Sequence, residues 1–172
     1  MNRTAEPFTD NHSFICGKEN PYGLHLTPVL NLAENLVSSN MVLKENGFLP
    51  TCPHLPDYAH PGIITSIVDE MVGRLAVLTV GRPAIVTATI TLKVHQPVPL
   101  NQALTFRGSI VNRVDRKLYA QGSIFRDKDN ALLVSSQALF IELTEQQVSG
   151  VKKNLKIQQA RILAENEEED NA

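Results

Sequence analysis

Asp69 and Glu70 are adjacent carboxylates inside the most apolar stretch of the chain, Pro61 to Val80. A carboxylate held beside a ligand can act as a general base or as a nucleophile. If the stretch is helical, Asp69 shares a face with Gly62, Thr65, Ser66, Gly73 and Ala76, while the flanking faces are filled with Ile, Val, Leu and Met. That small, partly polar face leaves room for a ligand or a close backbone. Its hydroxyls also offer the carboxylate a purely structural use. Glu70 lies about 100° further round the helix and four residues before Arg74, the spacing of a helical ion pair, so a structural role is favoured there. Cys52, His54, Asp57 and His60 carry metal-ligand chemistry at short spacing. The prolines among them stiffen the loop, and zinc needs four ligands converging tetrahedrally, so no metal is expected. Cys16-Gly17 is not half of a Cys-x2-Cys knuckle, because Ser13 and Glu19 stand three positions away.

Several elements must position these groups. Residues 1–20 read as an irregular arm ending at the turn Asn20-Pro21-Tyr22-Gly23. Two short strands are expected at about Leu24–Leu32 and Leu36–Lys44, joined by Ala33-Glu34-Asn35. The run containing Pro50, Pro53, Pro56 and Pro61 is expected to be stiff connection rather than an element. Ile64, Val68, Met71, Leu75 and Leu78 then recur at helical spacing, widened by Ile63 and Ile67. Pro61 stands where a helix tolerates proline, and Gly81 stops it. A helix this apolar must be wrapped. The wrapping follows in sequence, with strict alternation from Ile85 to Gln96. Val86, Ala88, Ile90, Leu92 and Val94 fall on one face, to be buried, with Thr87, Thr89, Thr91, Lys93 and His95 on the other. Strands at about Ala103–Val114, Lys117–Arg126 and Ala131–Leu143 complete a sheet, with turns at Asp115-Arg116 and Asp127 to Asn130. Thr144 and Gln147 form a capping box for a last helix over 144–164, and the acidic tail 165–172 is expected to be disordered. The fold class is α+β: a long antiparallel sheet around one central helix, in a single domain over 21–143.

Composition excludes several classes. Hydrophobic residues make up 42% and charged residues 20% of 172, ordinary for a globular domain. The net charge of -2 hides an acidic end: Glu165 to Ala172 hold five acids, and without them 16 basic side chains face 13 acidic ones. That excess is too small for a nucleic-acid surface, and neither the arm nor the last helix suits a helix-turn-helix. No apolar run is long enough for a membrane span. The polar first residues do not read as a signal peptide, and two distant cysteines do not make a disulfide framework. A cytoplasmic location is the expectation.

Four segments, in order, resemble one family. Residues 14–26, Phe-Ile-Cys-Gly-Lys-Glu-Asn-Pro-Tyr-Gly-Leu-His-Leu, are similar to a Cys-Gly…Asn-Pro-x-Gly-Leu opening. Residues 60–70, HPGIITSIVDE, resemble a His-Gly-Gly-x6-Asp-Glu helix start. Residues 86–99, VTATITLKVHQPVP, resemble a strand ending in Pro-Val-Pro, and residues 117–141 a final hairpin. Over roughly residues 14 to 143 the chain resembles hotdog-fold acyl-CoA thioesterases of the PaaI-like, or 4-hydroxybenzoyl-CoA-thioesterase-like, branch. The resemblance implies hydrolysis of an acyl-CoA thioester to free acid and CoA, with no metal or cofactor, in a homodimer or homotetramer. It implies Asp69 as base or nucleophile and His60 as a residue that shapes the pocket. It also implies that Thr87 approaches the acyl group from the partner subunit. Glu70, Thr65 and Ser66 would border the substrate, and Lys93 and His95, with Arg107 and Arg113, are candidates for the CoA phosphates.

One departure bears on the chemistry. The second residue of His-Gly-Gly donates its backbone N–H to the thioester oxygen in that family, and here it is Pro61, which has none. Gly62 retains one. Hydrolysis with Gly62 as donor therefore competes with a non-catalytic acyl-CoA-binding role. A hotdog dehydratase ranks last, since no His lies between Pro61 and Gly81.

Overall fold

The structure, a computed structural model, describes residues 12–44, 51–52, 54–81 and 84–150. The elements in chain order are β1 Val29–Asn31, β2 Leu36–Val42, β3 Thr51–Cys52, β4 Leu55–Ala59, α1 Pro61–Val80, β5 Ile85–Val94, β6 Ala103–Val114, β7 Lys117–Arg126 and β8 Ala131–Glu142. Six strands form one antiparallel sheet in the order β1-β2-β6-β7-β8-β5. α1 packs on one face of it, as the expected architecture requires.

α1 starts and stops where its residues dictate. His60, in extended conformation, is the N-cap, Pro61 fills the first turn, and Gly81 ends the helix in the left-handed region with its N–H bonded to the Val77 carbonyl. Ile64, Ile67, Val68, Met71, Val72 and Leu75 are essentially inaccessible and meet Leu104, Phe106, Leu118, Ile124 and Phe140 from the sheet. Each such side chain contributes about 1.5–3 kcal/mol by leaving water. The helix sits low because Gly108 and Gly122 face each other in the β6–β7 register beneath it. A Cβ on Gly108 would stand 2.7 Å from Val72 Cγ1. Ala76, grouped by spacing with Asp69, is instead fully buried in this core.

Three expectations are corrected. Residues 24–28 lie outside the sheet, and His25 among them stands in the left-handed region at φ 52. Leu24 and Leu26 donate N–H groups to the Phe14 and Ile15 carbonyls, so the arm takes their hydrogen bonds and only Val29–Asn31 join β2. The proline-rich connection contains β3 and β4, a small antiparallel pair whose register joins Thr51 to Ala59 and Cys52 to Leu55. Pro56 falls between the paired positions of β4, where no donor is missed. Lastly, β5 does not bury one face along its length: Val86 and Val94 are nearly half exposed. It is an edge strand, and it carries a bulge.

The Pro-Val-Pro segment clamps the start of α1. Ala59 N–H reaches the Val98 carbonyl at 2.9 Å, and Leu100 N–H reaches Asp57 at 2.8 Å. The Thr144–Gln147 capping box is formed, with the Thr144 N–H donating to Gln147 Oε1 at 2.9 Å and the Gln147 N–H to Thr144 Oγ1 at 3.3 Å. Residues 145–150 are helical. The expected remainder of that helix, the acidic tail and most of the arm lie outside the described residues.

Candidate active site

The bulge in β5 builds the site. Thr87 pairs with Phe140 and Thr89 with Leu139, leaving Ala88 as the extra residue. Phe140 is buried toward α1, so Thr87 faces the helix too. Unbroken alternation puts Thr87 on the same face as Thr91, and the inserted residue moves it to the opposite one. There its Oγ1–H donates to Asp69 Oδ1 at 2.7 Å. Both residues belong to the same chain.

Asp69 and Thr87 border a cleft of about 270 Å³. Gly73 and Val77 continue the Asp69 face of α1 along it, Ile85 and Phe140 form the sheet side, and Ser13, Glu70 and Arg74 close the remaining side. The two carboxylates are held differently. Glu70 Oε1 accepts from Arg74 Nε at 2.8 Å, from Arg74 Nη2 at 2.7 Å and from Ser13 Oγ at 3.2 Å. The expected helical ion pair is therefore present, with the guanidinium largely buried. Asp69 receives the neutral Thr87 hydroxyl and no other hydrogen bond among the described residues. One carboxylate is balanced by a cation, and the other keeps a free oxygen at the cleft.

Thr65 and Ser66 do not serve Asp69. Their hydroxyls donate back to the carbonyls of Pro61 and Gly62 at 2.9 and 3.0 Å. The helix start itself lies away from the cleft, since seven residues separate Gly62 from Asp69, about 10 Å of helix. There the Gly62 N–H donates to His60 Nδ1 at 3.0 Å, and the Ile63 N–H goes to the His60 carbonyl at 3.0 Å. Pro61 has no N–H to give. The donor that sequence alone assigned to a substrate oxygen is thus engaged by the preceding histidine.

The cationic candidates are not brought to the cleft. Lys93 borders a separate hollow on the outer sheet face with Gln121 and Ser135, and His95 Nε2 meets Ser135 Oγ at 2.9 Å. Arg107 lies 5.0 Å over the Phe125 ring, and Arg113 pairs with Glu142 at 2.8 Å. Among the described residues no three of His, Cys, Asp and Glu gather as a metal site, the Cys52–His60 segment included. Sequence reasoning missed Ser13, Val77 and Phe140 as cleft residues, and Ser13 is the polar one. Its partner Glu70 is 57 positions away, and nothing in a lone serine announces that contact. Beside it, burial pushes the Cys16 thiol up to about 11, with the Arg74 guanidinium lowering it and the Glu70 carboxylate raising it.

No family model matches the chain. Over 88 residues, 51% of the chain, it is 28% identical to a Xenopus laevis protein named acyl-coenzyme A thioesterase, and that match spans 39% of the relative's length. A solved structure described as a thioesterase superfamily protein superposes with a TM-score of 0.65 at 24% identity, covering 80% of this chain and 68% of the other. The Escherichia coli PaaI protein, from the phenylacetic acid degradation operon, gives 0.58 at 12% identity over 70% of this chain and 81% of its own. The chain has the hotdog fold of these structures, with PaaI among its structural neighbours. No described helix is long and apolar enough to cross a membrane.

Proposed function

We propose that this protein is a thioesterase that hydrolyses an acyl-CoA thioester to the free acid and CoA, with Asp69 as base or nucleophile. One observation carries the reading: of two adjacent carboxylates, Glu70 is consumed by Arg74 and Ser13, while Asp69 presents a free oxygen to the cleft. As a base, Asp69 takes a proton from water as the water oxygen attacks the thioester carbonyl. The C–S bond then breaks, and the thiolate leaves with a proton. As a nucleophile, Asp69 attacks the carbonyl carbon and the C–S bond breaks to release CoA thiolate, which takes up a proton; water then cleaves the resulting anhydride to the free acid and restores the Asp69 carboxylate. In both routes Thr87 fixes Oδ1 and leaves Oδ2 for the reaction, toward the attacking water in the first and toward the carbonyl carbon in the second. The name of the Xenopus laevis relative supports this substrate class.

The site calls for a second copy of the chain. Thr87 lies on β5, whose outer edge has no strand partner among the described residues, and such an edge invites pairing. Pairing through β5 would bring a second copy to the Asp69 cleft, in a homodimer or a dimer of dimers. The second copy's helix start would then stand at the cleft, and its Gly62 N–H would become an oxyanion donor if the His60 ring turns away from it.

A second reading has its own observation. Pro61 lacks an N–H and His60 occupies the Gly62 N–H, so a protein that binds acyl-CoA without hydrolysing it also fits. Release of free thiol from a panel of acyl-CoA thioesters, with light scattering at micromolar concentration, separates the readings. Turnover by a dimer or tetramer supports the enzyme. Binding without turnover supports the alternative, and a monomeric mass contradicts the shared interface site.

A further inference from the structure

Several glycines have an evident steric reason. A Cβ on Gly108 would lie 2.7 Å from Val72 Cγ1, one on Gly122 would lie 2.9 Å from Ser136 Oγ, and one on Gly62 would lie 3.0 Å from His60 Nδ1. Gly73 is different. A Cβ there would meet only the Phe140 ring, at 3.6 and 3.9 Å, which is ordinary contact. Its backbone is that of a helix interior, where alanine is more stable than glycine. Neither packing nor conformation explains the residue. What lies in front of it is the cleft, about 6 Å along the helix from Asp69 at ~1.5 Å per residue, the reach of roughly five methylenes.

We propose that Gly73 is a specificity-determining residue: the acyl group lies across the bare backbone at Gly73, between Val77, Ile85 and Phe140, with its carbonyl at Asp69. The inference rests on the acyl-CoA reading above and names its substrate class. The walls beyond Asp69 are apolar, and Glu70 answers Arg74. The slot therefore takes an uncharged, apolar acyl body of about six carbons or more, unbranched or flat where it passes the helix. Shorter groups end before Gly73. A side chain at position 73 would fill the slot and penalise long acyl groups selectively.

The test uses the full-length protein with straight-chain acyl-CoA thioesters from acetyl to decanoyl, alongside the matching S-alkyl-CoA thioethers as binding probes. The readout is the ratio of kcat/KM for octanoyl-CoA to that for acetyl-CoA. It is expected to fall ~3-fold or more in Gly73→Ala and ~10-fold or more in Gly73→Leu, as added carbons overpack the slot. Gly73→Ala keeps the test valid should the larger variant fail to fold. A role in the fold alone would lower both substrates together and leave the ratio unmoved, which overturns the proposal. Loss of assembly mass with an unmoved ratio also overturns it, since the glycine would then admit a close second chain. If the wild type cleaves no thioester, the thioethers decide. A length-dependent loss of affinity keeps the slot and sinks only the hydrolysis, whereas a length-independent loss, or no binding by the wild type, sinks the slot.

Discussion

Thr87 Oγ1 stands 2.7 Å from Asp69 Oδ1 because Ala88 is an extra residue in the ladder between β5 and β8. Without the bulge, strict alternation would aim Thr87 away from α1, and the carboxylate would face the cleft without this donor. The strand edge and the helix are thereby joined at the carboxylate of the cleft that no cation balances.

Removing the hydroxyl while keeping the shape tests that relationship. Thr87→Val is expected to lower kcat ~10-fold or more with a smaller change in KM, because a hydrogen bond to a charged group contributes about 1.5–3 kcal/mol. Thr87→Ser should recover most of the loss. Steady-state kinetics on the two variants checks this, and equal losses in both would point to packing at β5.

Much of this arrangement was legible in the residues. Apolar periodicity, Pro61 and Gly81 give the bounds of α1 as found. Asp115 and Asn130, both at positive φ, mark the turns that bound β6, β7 and β8. Thr144 and Gln147 announce their capping box. The bulge was not legible, because one inserted residue leaves the alternation of residue types intact while reversing which side chains face the helix. The Ser13–Glu70 contact and the engagement of the Gly62 N–H by His60 also escaped. They depend on tertiary placement and ring orientation rather than on local pattern.

Cys16 is expected to react slowly with thiol reagents. Its thiol is pushed up to about 11 by burial, above the ordinary value, so the thiolate that reacts is scarce at neutral pH. The neutral form is the one the fold favours. The associated stability is thus present below the unfolded thiol's pKa and is lost as pH rises toward 11. Peptide mapping after timed alkylation at pH 8 should find Cys16 modified many-fold more slowly than in the urea-unfolded chain.

Pro61→Gly supplies an N–H at the first position of α1, where Pro61 has none. If the start of the helix serves the developing oxyanion, kcat is expected to rise ~10-fold or more, since one well-aimed donor is worth about 2.7–4 kcal/mol. The same change should cost up to ~1 kcal/mol of stability through the unfolded chain, so urea unfolding belongs beside the rate. A slower variant would argue that the ring of Pro61 is needed to hold His60 and Gly62 as they are.

The central claim is that Asp69 performs the chemistry, and Asp69→Asn tests it most directly. The amide keeps the size of the carboxylate and can still accept from Thr87, but it has neither the charge nor the basicity. The measurement is single-turnover hydrolysis of the best acyl-CoA substrate, made on protein whose circular dichroism and assembly mass match the wild type. The account predicts a fall of ~100-fold or more in the chemical step, with affinity for the matching thioether largely kept. Turnover within a few-fold of wild type in a folded Asp69→Asn protein would contradict it, and would leave Glu70 as the other carboxylate at the cleft.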